Sequence, residues 1–246
     1  MLAVIGGSGL TELSSLEGVR RNTVRTPYGE PSASVTHGTI RGRALMFLAR
    51  HGYGHTIPPH EINYRANLWA LREEGASRIV SVASVGGVRA DLGPGVLVVP
   101  HQIIDYTWGR PSTYFEGGNG PVTHIDFTNP YTGELRQRIL EAARAAGETV
   151  LDGGIYAATQ GPRLESAAEI DRLERDGADM VGMTGMPEAA LARELGLEYA
   201  AIAVVVNHAA GRGESKDGIA LDRIEAMLPE TIGRARRVIE ALVTLA

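Results

Sequence analysis

The chain has 246 residues, of which 43% are hydrophobic and 22% are charged, so it can bury a large core within a single domain. Its formal net charge of -5 argues against a surface that neutralises a nucleic-acid backbone. The absence of cysteine excludes disulfides, thiolate metal ligands and thiol nucleophiles, and it fits a cytoplasmic protein.

Membrane insertion is not expected from the apolar segments. Residues 1–5 are apolar but lack the basic leader of a signal peptide, and a glycine-rich turn at 6–9 follows at once. The longest apolar run, 200–206, is far too short to cross a bilayer and is typical of a buried strand.

Short runs rich in Val, Ile and Ala alternate with longer helical patterns, which predicts an α/β domain over residues 1–246 with a central mixed β-sheet flanked by helices. The predicted strands cover residues 2–5, 44–48, 78–84, 96–99, 155–159, 180–183 and 200–207. The predicted helices cover residues 62–74, 135–146, 187–195 and 222–245. Gly75 and Gly147 follow the first two helices, and Pro187 begins the third, as helix ends favour.

Two stretches break this pattern. Residues 103–130 form an aromatic, glycine-containing loop whose apolar side chains one subunit would bury poorly, so we expect a contact between subunits there. Residues 208–218 are polar and glycine-rich, and they predict either a mobile lid or a simple surface connection.

Small hydroxyl residues next to glycines follow three predicted strands and could surround a free phosphate. Ser8, Ser84 and Thr184 occupy these strand ends, where backbone amides and a hydroxyl can face an anion. Arg50 follows another strand and could clamp a phosphate with a planar fork of donors, to which His51 adds a further donor. Each of these residues could also be an ordinary turn or surface residue.

A metal site built from the nearby histidines is disfavoured. His55 and His60 follow His51 at irregular spacing, the intervening prolines 58 and 59 disrupt regular structure, and no carboxylate-rich motif accompanies them.

A carboxylate and a carboxamide from separate segments could recognise a purine base. Glu165 can only accept hydrogen bonds, whereas Asn207 can both donate and accept, so the pair suits a 6-oxopurine with an N1–H donor, an O6 acceptor and N7. Adenine would set its bare N1 lone pair against Glu165, a mismatch that is costly in a dry pocket. Alternatively, Glu165 simply opens a helix and Asn207 ends a strand.

Together these residues resemble the trimeric purine nucleoside phosphorylase and methylthioadenosine phosphorylase family, from residue 5 to the terminal helix. The motifs that carry the resemblance are G-G-S-G-L at 6–10, the run A-R-H-G-Y-G-H-T-I-P-P-H-E-I-N-Y-R-A-N-L-W-A-L at 49–71, G-P-R-L-E at 161–165 and V-G-M-T-G-M-P-E at 181–188. The likeness is nearest to a branch that accepts a deaminated methylthio-nucleoside.

The resemblance implies a role for each matching residue. The positions that match phosphate contacts are Ser8, Arg50, His51, Ser84 and Thr184, with Ser84 acting mainly through its backbone. Met183 matches the residue under the ribose, and Leu164 replaces a phenylalanine beside the base, which weakens stacking. His55, and His124 from a neighbouring subunit, match positions near the 5' substituent, where apolar residues of the terminal region complete the site. Adenine-specific members carry aspartates at positions 207 and 209 and a serine at 165, where this chain has Asn, Ala and Glu.

The expected reaction is phosphorolysis of a methylthio-nucleoside that carries a 6-oxopurine base, by a homotrimer that uses inorganic phosphate as co-substrate and no metal or organic cofactor. Asn207 and Glu165 would stabilise the departing base. The alternatives are phosphorolysis of methylthioadenosine or of ordinary inosine and guanosine, hydrolysis of nucleosides, and a non-catalytic nucleoside-binding or nucleotide-sensing module.

Overall fold

The computed structural model describes residues 1–117 and 122–245, and within them it contains five α-helices and one sheet of eleven strands. The strands are β1 (Leu2–Gly6), β2 (Glu17–Asn22), β3 (Val35–Ile40), β4 (Arg43–Ala49), β5 (Arg78–Gly87), β6 (Leu97–Val99), β7 (Gln102–Asp105), β8 (Val150–Asp152), β9 (Ile155–Ala158), β10 (Met180–Gly182) and β11 (Glu198–His208). The helices are α1 (Tyr64–Glu73), α2 (Gly133–Ala145), α3 (Ala167–Arg175), α4 (Gly185–Glu194) and α5 (Leu221–Leu245). A short 3-10 helix spans Gly213–Ser215.

Four neighbouring strands of the sheet run parallel. β1 pairs with β4 and β5, and β11 pairs with β5 along its whole length. Because the carboxyl ends of parallel strands meet at one edge of a sheet, the residues that follow these four strands gather there.

The other edge of β5 is shared by two strands and left open between them. β1 pairs with residues 78–81 and β10 pairs antiparallel with residues 86 and 87. Residues 82–85 therefore face a gap between the ends of β1 and β10. This gap is the structural origin of the site described below.

The central strands β1, β5 and β11 are buried on both faces, as their Val, Ile and Ala content predicts. Alternate residues of β1 enter different clusters: Ala3 and Ile5 pack with α1 and α4, whereas Leu2 and Val4 pack with α2 and α5. This alternation is the two-residue period of a strand between two helical layers.

The predicted α/β fold with a mixed sheet is confirmed, and all seven predicted strands and four predicted helices are present with shifted ends. The sequence interpretation missed β2, β3, β7, β8 and α3. β2 is an exposed or half-exposed edge strand without an apolar pattern. α3 is short and begins with a capping box of Ser166 and Glu169, so Glu165 precedes the helix and does not open it.

The segment 103–130 is less irregular than predicted, because β7 extends to residue 105. Residues 118–121 of that segment lie outside the described residues. Across 1–117 and 122–245, no helix has the length and apolar character needed to cross a bilayer.

Candidate active site

A cavity of about 770 Å³ opens where the parallel strands end, beside the gap in β5. This volume lies within the range of about 300–1,000 Å³ that small-molecule sites occupy. Ten of the residues predicted from the sequence line it: Ser8, Arg50, His51, His55, Ser84, Leu164, Glu165, Met183, Thr184 and Asn207. The fold thus brings six separate segments of the chain to one place.

His124 is the predicted site residue that does not line this cavity. It lies on an exposed stretch that follows the undescribed residues 118–121. Its expected role is across a subunit boundary, so that role stays a prediction.

Arg50 forms the floor of the cavity in a fully buried ion pair with Glu188 of α4. Its Nε donates to Glu188 Oε2 at 2.7 Å, and one Nη2 hydrogen goes to Oε1 at 3.0 Å. The remaining Nη2 hydrogen binds Ser81 Oγ at 2.6 Å, and Nη1 binds the Val82 carbonyl at 2.9 Å. Tyr199 donates its hydroxyl to Glu188 Oε1 at 2.8 Å. Four of the five guanidinium N–H groups are therefore used inside the protein.

Glu188 occupies the fork formed by Nε and Nη2, so a phosphate would meet Arg50 only through Nη1, and the phosphate-binding role of Arg50 stays a prediction. Burial alone would lower the pKa of Arg50, but the charge of Glu188 and its hydrogen bonds raise it above its usual value. One N–H of Nη1 is left for the cavity. A side chain at Gly7 would place its Cβ only 2.9 Å from Nη1, which explains the glycine there.

His51 is neutral and presents an acceptor, whereas the sequence suggested a donor. Burial, and then the charge of Arg50, lower its pKa from 6.5 to about 4. Since the Ile57 carbonyl can only accept, His51 Nδ1 must be the protonated nitrogen in their 2.8 Å hydrogen bond. Nε2 therefore keeps its lone pair. Burial and the charge of Arg50 also lower the pKa of His55, whose ring centroid lies 4.4 Å from that of His51.

The three predicted hydroxyl groups surround the gap in β5. Ser8 Oγ lies 3.4 Å from His55 Nε2. Ser84 Oγ is buried and has no hydrogen-bond partner among the described residues. Thr184 is the N-cap residue of α4, but its side chain makes no capping hydrogen bond. Together with the Nη1 hydrogen of Arg50, these groups could donate to one oxyanion.

Asn207 and Glu165 line the same cavity, and each has a hydrogen bond that fixes its orientation. Asn207 Nδ2 donates to the His208 carbonyl at 2.6 Å, which leaves one N–H and the Oδ1 acceptor available. Glu165 Oε1 accepts from Thr159 Oγ1 at 2.6 Å, which leaves Oε2. The site therefore offers a donor and an acceptor from Asn207 and an acceptor from Glu165.

Apolar side chains from the start of α5 and the residues before it form another part of the wall. They are Ile219, Leu221, Ile224 and Leu228. Met183 contributes as well and lies so close to Gly161 that a Cβ there would be 2.5 Å from its Sδ. Leu164 is 40% exposed, so it covers its part of the cavity only partly.

The sequence interpretation missed Glu188, Thr159 and Arg110. The buried Arg110 guanidinium donates to the carbonyls of Met183 and Gln160, at 2.8 and 2.7 Å. It thereby connects the strand end that carries Met183 with the turn that leads to Glu165. The one available signal was Glu188 within the apolar start of α4, because a charge on a buried helix requires a partner.

The histidines do not form a metal site with acidic side chains. Within the described part of the chain, no three His, Asp or Glu side chains are grouped in a way that could hold a metal ion.

Comparison with known proteins gives consistent results. The Phosphorylase superfamily model matches residues 1–244. The chain is 51% identical over 242 residues to a probable S-methyl-5'-thioinosine phosphorylase of Xanthomonas campestris pv. campestris, covering 96% of this chain and 97% of that protein. It is 47% identical over 220 residues to a 6-oxopurine nucleoside phosphorylase of Pyrococcus furiosus, covering 87% and 82%.

Solved structures show the same fold. Methylthioadenosine phosphorylase of Schistosoma mansoni in complex with adenine superposes with a TM-score of 0.94 at 32% identity, covering 99% of this chain and 91% of that chain.

Replacing Glu188 with Ala should leave the Arg50 charge buried without its partner. We expect the free energy of unfolding to fall by about 3–5 kcal/mol, measured by urea denaturation. As a control, Glu134→Ala removes an exposed pair with Arg138, and it should cost at most about 1 kcal/mol. If the two substitutions lowered the free energy of unfolding equally, the large contribution assigned to the buried pair would be contradicted.

The depressed pKa of His51 makes stability depend on pH. As pH falls, the unfolded chain protonates this residue near pH 6.5, whereas the folded protein does so only near pH 4, so stability is lost between these values. The loss corresponds to about 3 kcal/mol at most. His51→Asn keeps a donor for the Ile57 carbonyl but does not titrate. In this variant, the free energy of unfolding, measured by urea denaturation at a series of pH values, should fall less steeply as pH is lowered, and the remaining fall would come from His55. A fall as steep as that of the wild type would refute the assignment to His51.

Proposed function

The chain belongs to the phosphorylase superfamily, and from this premise we propose that it cleaves S-methyl-5'-thioinosine with inorganic phosphate. The products are hypoxanthine and S-methyl-5-thioribose 1-phosphate. The observation that carries the proposal is the orientation of Asn207 and Glu165, each fixed by a hydrogen bond at the wall of one cavity.

These two side chains match a 6-oxopurine atom by atom. The free Glu165 oxygen accepts from N1–H, the free Asn207 N–H donates to O6, and Asn207 Oδ1 accepts from N7 once that nitrogen is protonated. Adenine presents the opposite pattern at two positions, with an amino donor facing the Asn207 N–H and a bare N1 facing Glu165. Reorienting Asn207 would break its hydrogen bond to the His208 carbonyl.

In the proposed step, a phosphate oxygen forms a bond to C1' while the bond from C1' to N9 breaks. The electron pair of the broken bond passes to the purine, which takes up a proton from solvent at N7. Asn207 and Glu165 stabilise the charge that develops on the base. Ser8, Ser84 and Thr184 hold the anion, and neutral His51 accepts from the hydroxyl that hydrogen phosphate retains near neutral pH.

The apolar wall of the cavity favours a methylthio group over a hydroxyl at the 5' position of the substrate. The wall formed by Ile219, Leu221, Ile224 and Leu228 can bury an apolar group, whereas it offers a hydroxyl no side-chain partner. Methylthioadenosine and ordinary inosine or guanosine are the alternative substrates.

The remaining features of the proposal follow from the family and the composition. We propose a cytoplasmic homotrimer that binds nucleoside and phosphate, needs no metal or organic cofactor, and binds neither nucleic acid nor membranes. In the trimer, His124 would approach the site of a neighbouring subunit.

The direct test measures base release from methylthioinosine, methylthioadenosine, inosine and adenosine, each with and without phosphate. We expect release only with phosphate, fastest from methylthioinosine and slowest from the two adenine nucleosides. Full activity without phosphate would instead indicate a hydrolase. Binding of the nucleosides without any base release would indicate a non-catalytic module.

Exchanging the base-reading groups should shift the preference toward adenine. In the double variant Asn207→Asp with Glu165→Ser, position 207 accepts from the amino group and position 165 donates to N1. We expect the ratio of kcat/KM for methylthioinosine to that for methylthioadenosine to fall by about hundredfold or more. Glu174→Ser, which removes an exposed carboxylate paired with Arg212, is the control and should leave the ratio unchanged. Unchanged selectivity of the double variant would count against the assigned roles.

A further inference from the structure

We propose that Thr159 makes the site select hypoxanthine over guanine, by holding one of the two oxygens of Glu165 away from the base. This inference rests on the proposed function and deepens it, because it concerns the choice between two 6-oxopurines. Thr159 is a positioning residue, since it acts on the base through Glu165.

The hydroxyl of Thr159 has one hydrogen and two acceptors within reach. Glu165 Oε1 lies 2.6 Å from Thr159 Oγ1, whereas the Gly182 carbonyl lies 3.2 Å from it. A hydroxyl bond to a carboxylate is shorter and stronger than one to a neutral carbonyl, so the hydrogen goes to Glu165.

The backbone holds this hydroxyl in place. The Thr159 N–H donates to the Gly182 carbonyl at 2.8 Å, and the Thr159 carbonyl accepts from Arg110 Nη2 at 3.3 Å. Arg110 is itself buried and bound to further carbonyls around the site. Thr159 therefore cannot easily follow Glu165 if the carboxylate turns toward a ligand.

Thr159 reaches the carboxylate from outside the large cavity. Glu165 lines both that cavity and a second one of about 280 Å³, whereas Thr159 lines only the second. The oxygen bound by Thr159 is thus held toward the second cavity. Oε2 remains as the acceptor for a base in the large cavity.

Hypoxanthine and guanine differ in the number of hydrogen-bond donors that they present to Glu165. Hypoxanthine presents N1–H alone, whereas guanine presents N1–H and a 2-amino group that together match both oxygens of a carboxylate. Because Thr159 holds Oε1 toward the second cavity, the 2-amino group of guanine is desolvated on binding without gaining a well-placed acceptor. A buried donor left in this state lowers affinity roughly tenfold to hundredfold.

The experiment compares the wild type with Thr159→Val, which removes the hydroxyl at nearly constant shape, and with Thr159→Ser, which keeps it. The dissociation constants of hypoxanthine and guanine are measured calorimetrically in the presence of phosphate, and kcat/KM is measured for inosine and guanosine. Thermal unfolding verifies that each variant is folded.

In Thr159→Val, we expect affinity and kcat/KM for the guanine compounds to rise by about tenfold relative to the hypoxanthine compounds. Thr159→Ser should retain the wild-type ratio. If Thr159→Val lowers affinity and kcat/KM equally for the guanine and the hypoxanthine compounds, or leaves their ratio unchanged, the inference is overturned while the proposed function stands. If the wild type shows no phosphate-dependent release from any 6-oxopurine nucleoside, the proposed function itself fails.

Discussion

The buried ion pair between Arg50 and Glu188 is the constraint on which the site depends. It joins the end of β4 to α4 beneath the gap in β5, and burying two charges is tolerable only because hydrogen bonds satisfy both partners. Ser81, the Val82 carbonyl and Tyr199 provide these bonds. The pair carries no net charge, so attraction for an anion has to come from individual donors at the cavity wall.

Burial and the nearby Arg50 charge both influence the histidines that lie beside the pair. Burial and the charge of Arg50 lower the pKa of both His51 and His55, and the Ile57 carbonyl fixes which nitrogen of His51 carries the proton. A neutral imidazole with a free lone pair suits a phosphate that still bears a hydroxyl. In the proposed function, Arg50 therefore shapes the floor of the cavity, whereas the hydroxyl groups and His51 would bind the anion.

The features that could be predicted from the sequence are those that a short stretch of residues specifies by itself. Strands such as β1 and β11 are buried on both faces and read as continuous apolar runs, and the residues after them reach the cavity because parallel strands end together. The exposed edge strand β2 lacks such a run. The partner of Arg50 could not be predicted because Glu188 is 138 residues away, and no local pattern specifies which buried carboxylate meets a buried guanidinium.

The two ends of the cavity differ in how steeply they can discriminate. Thr159 and the His208 carbonyl orient Glu165 and Asn207. If these two side chains bind the base as proposed, a base with the wrong hydrogen-bond pattern would leave buried polar groups unpaired, a penalty of about 10⁴-fold. The apolar residues of α5, which are proposed to meet the 5' substituent, would separate similar groups by about 10- to 200-fold. The proposed site would therefore discriminate more steeply between bases than between 5' substituents. Under the proposal, a small number of substitutions among these apolar residues would be enough to change the preference at the 5' position.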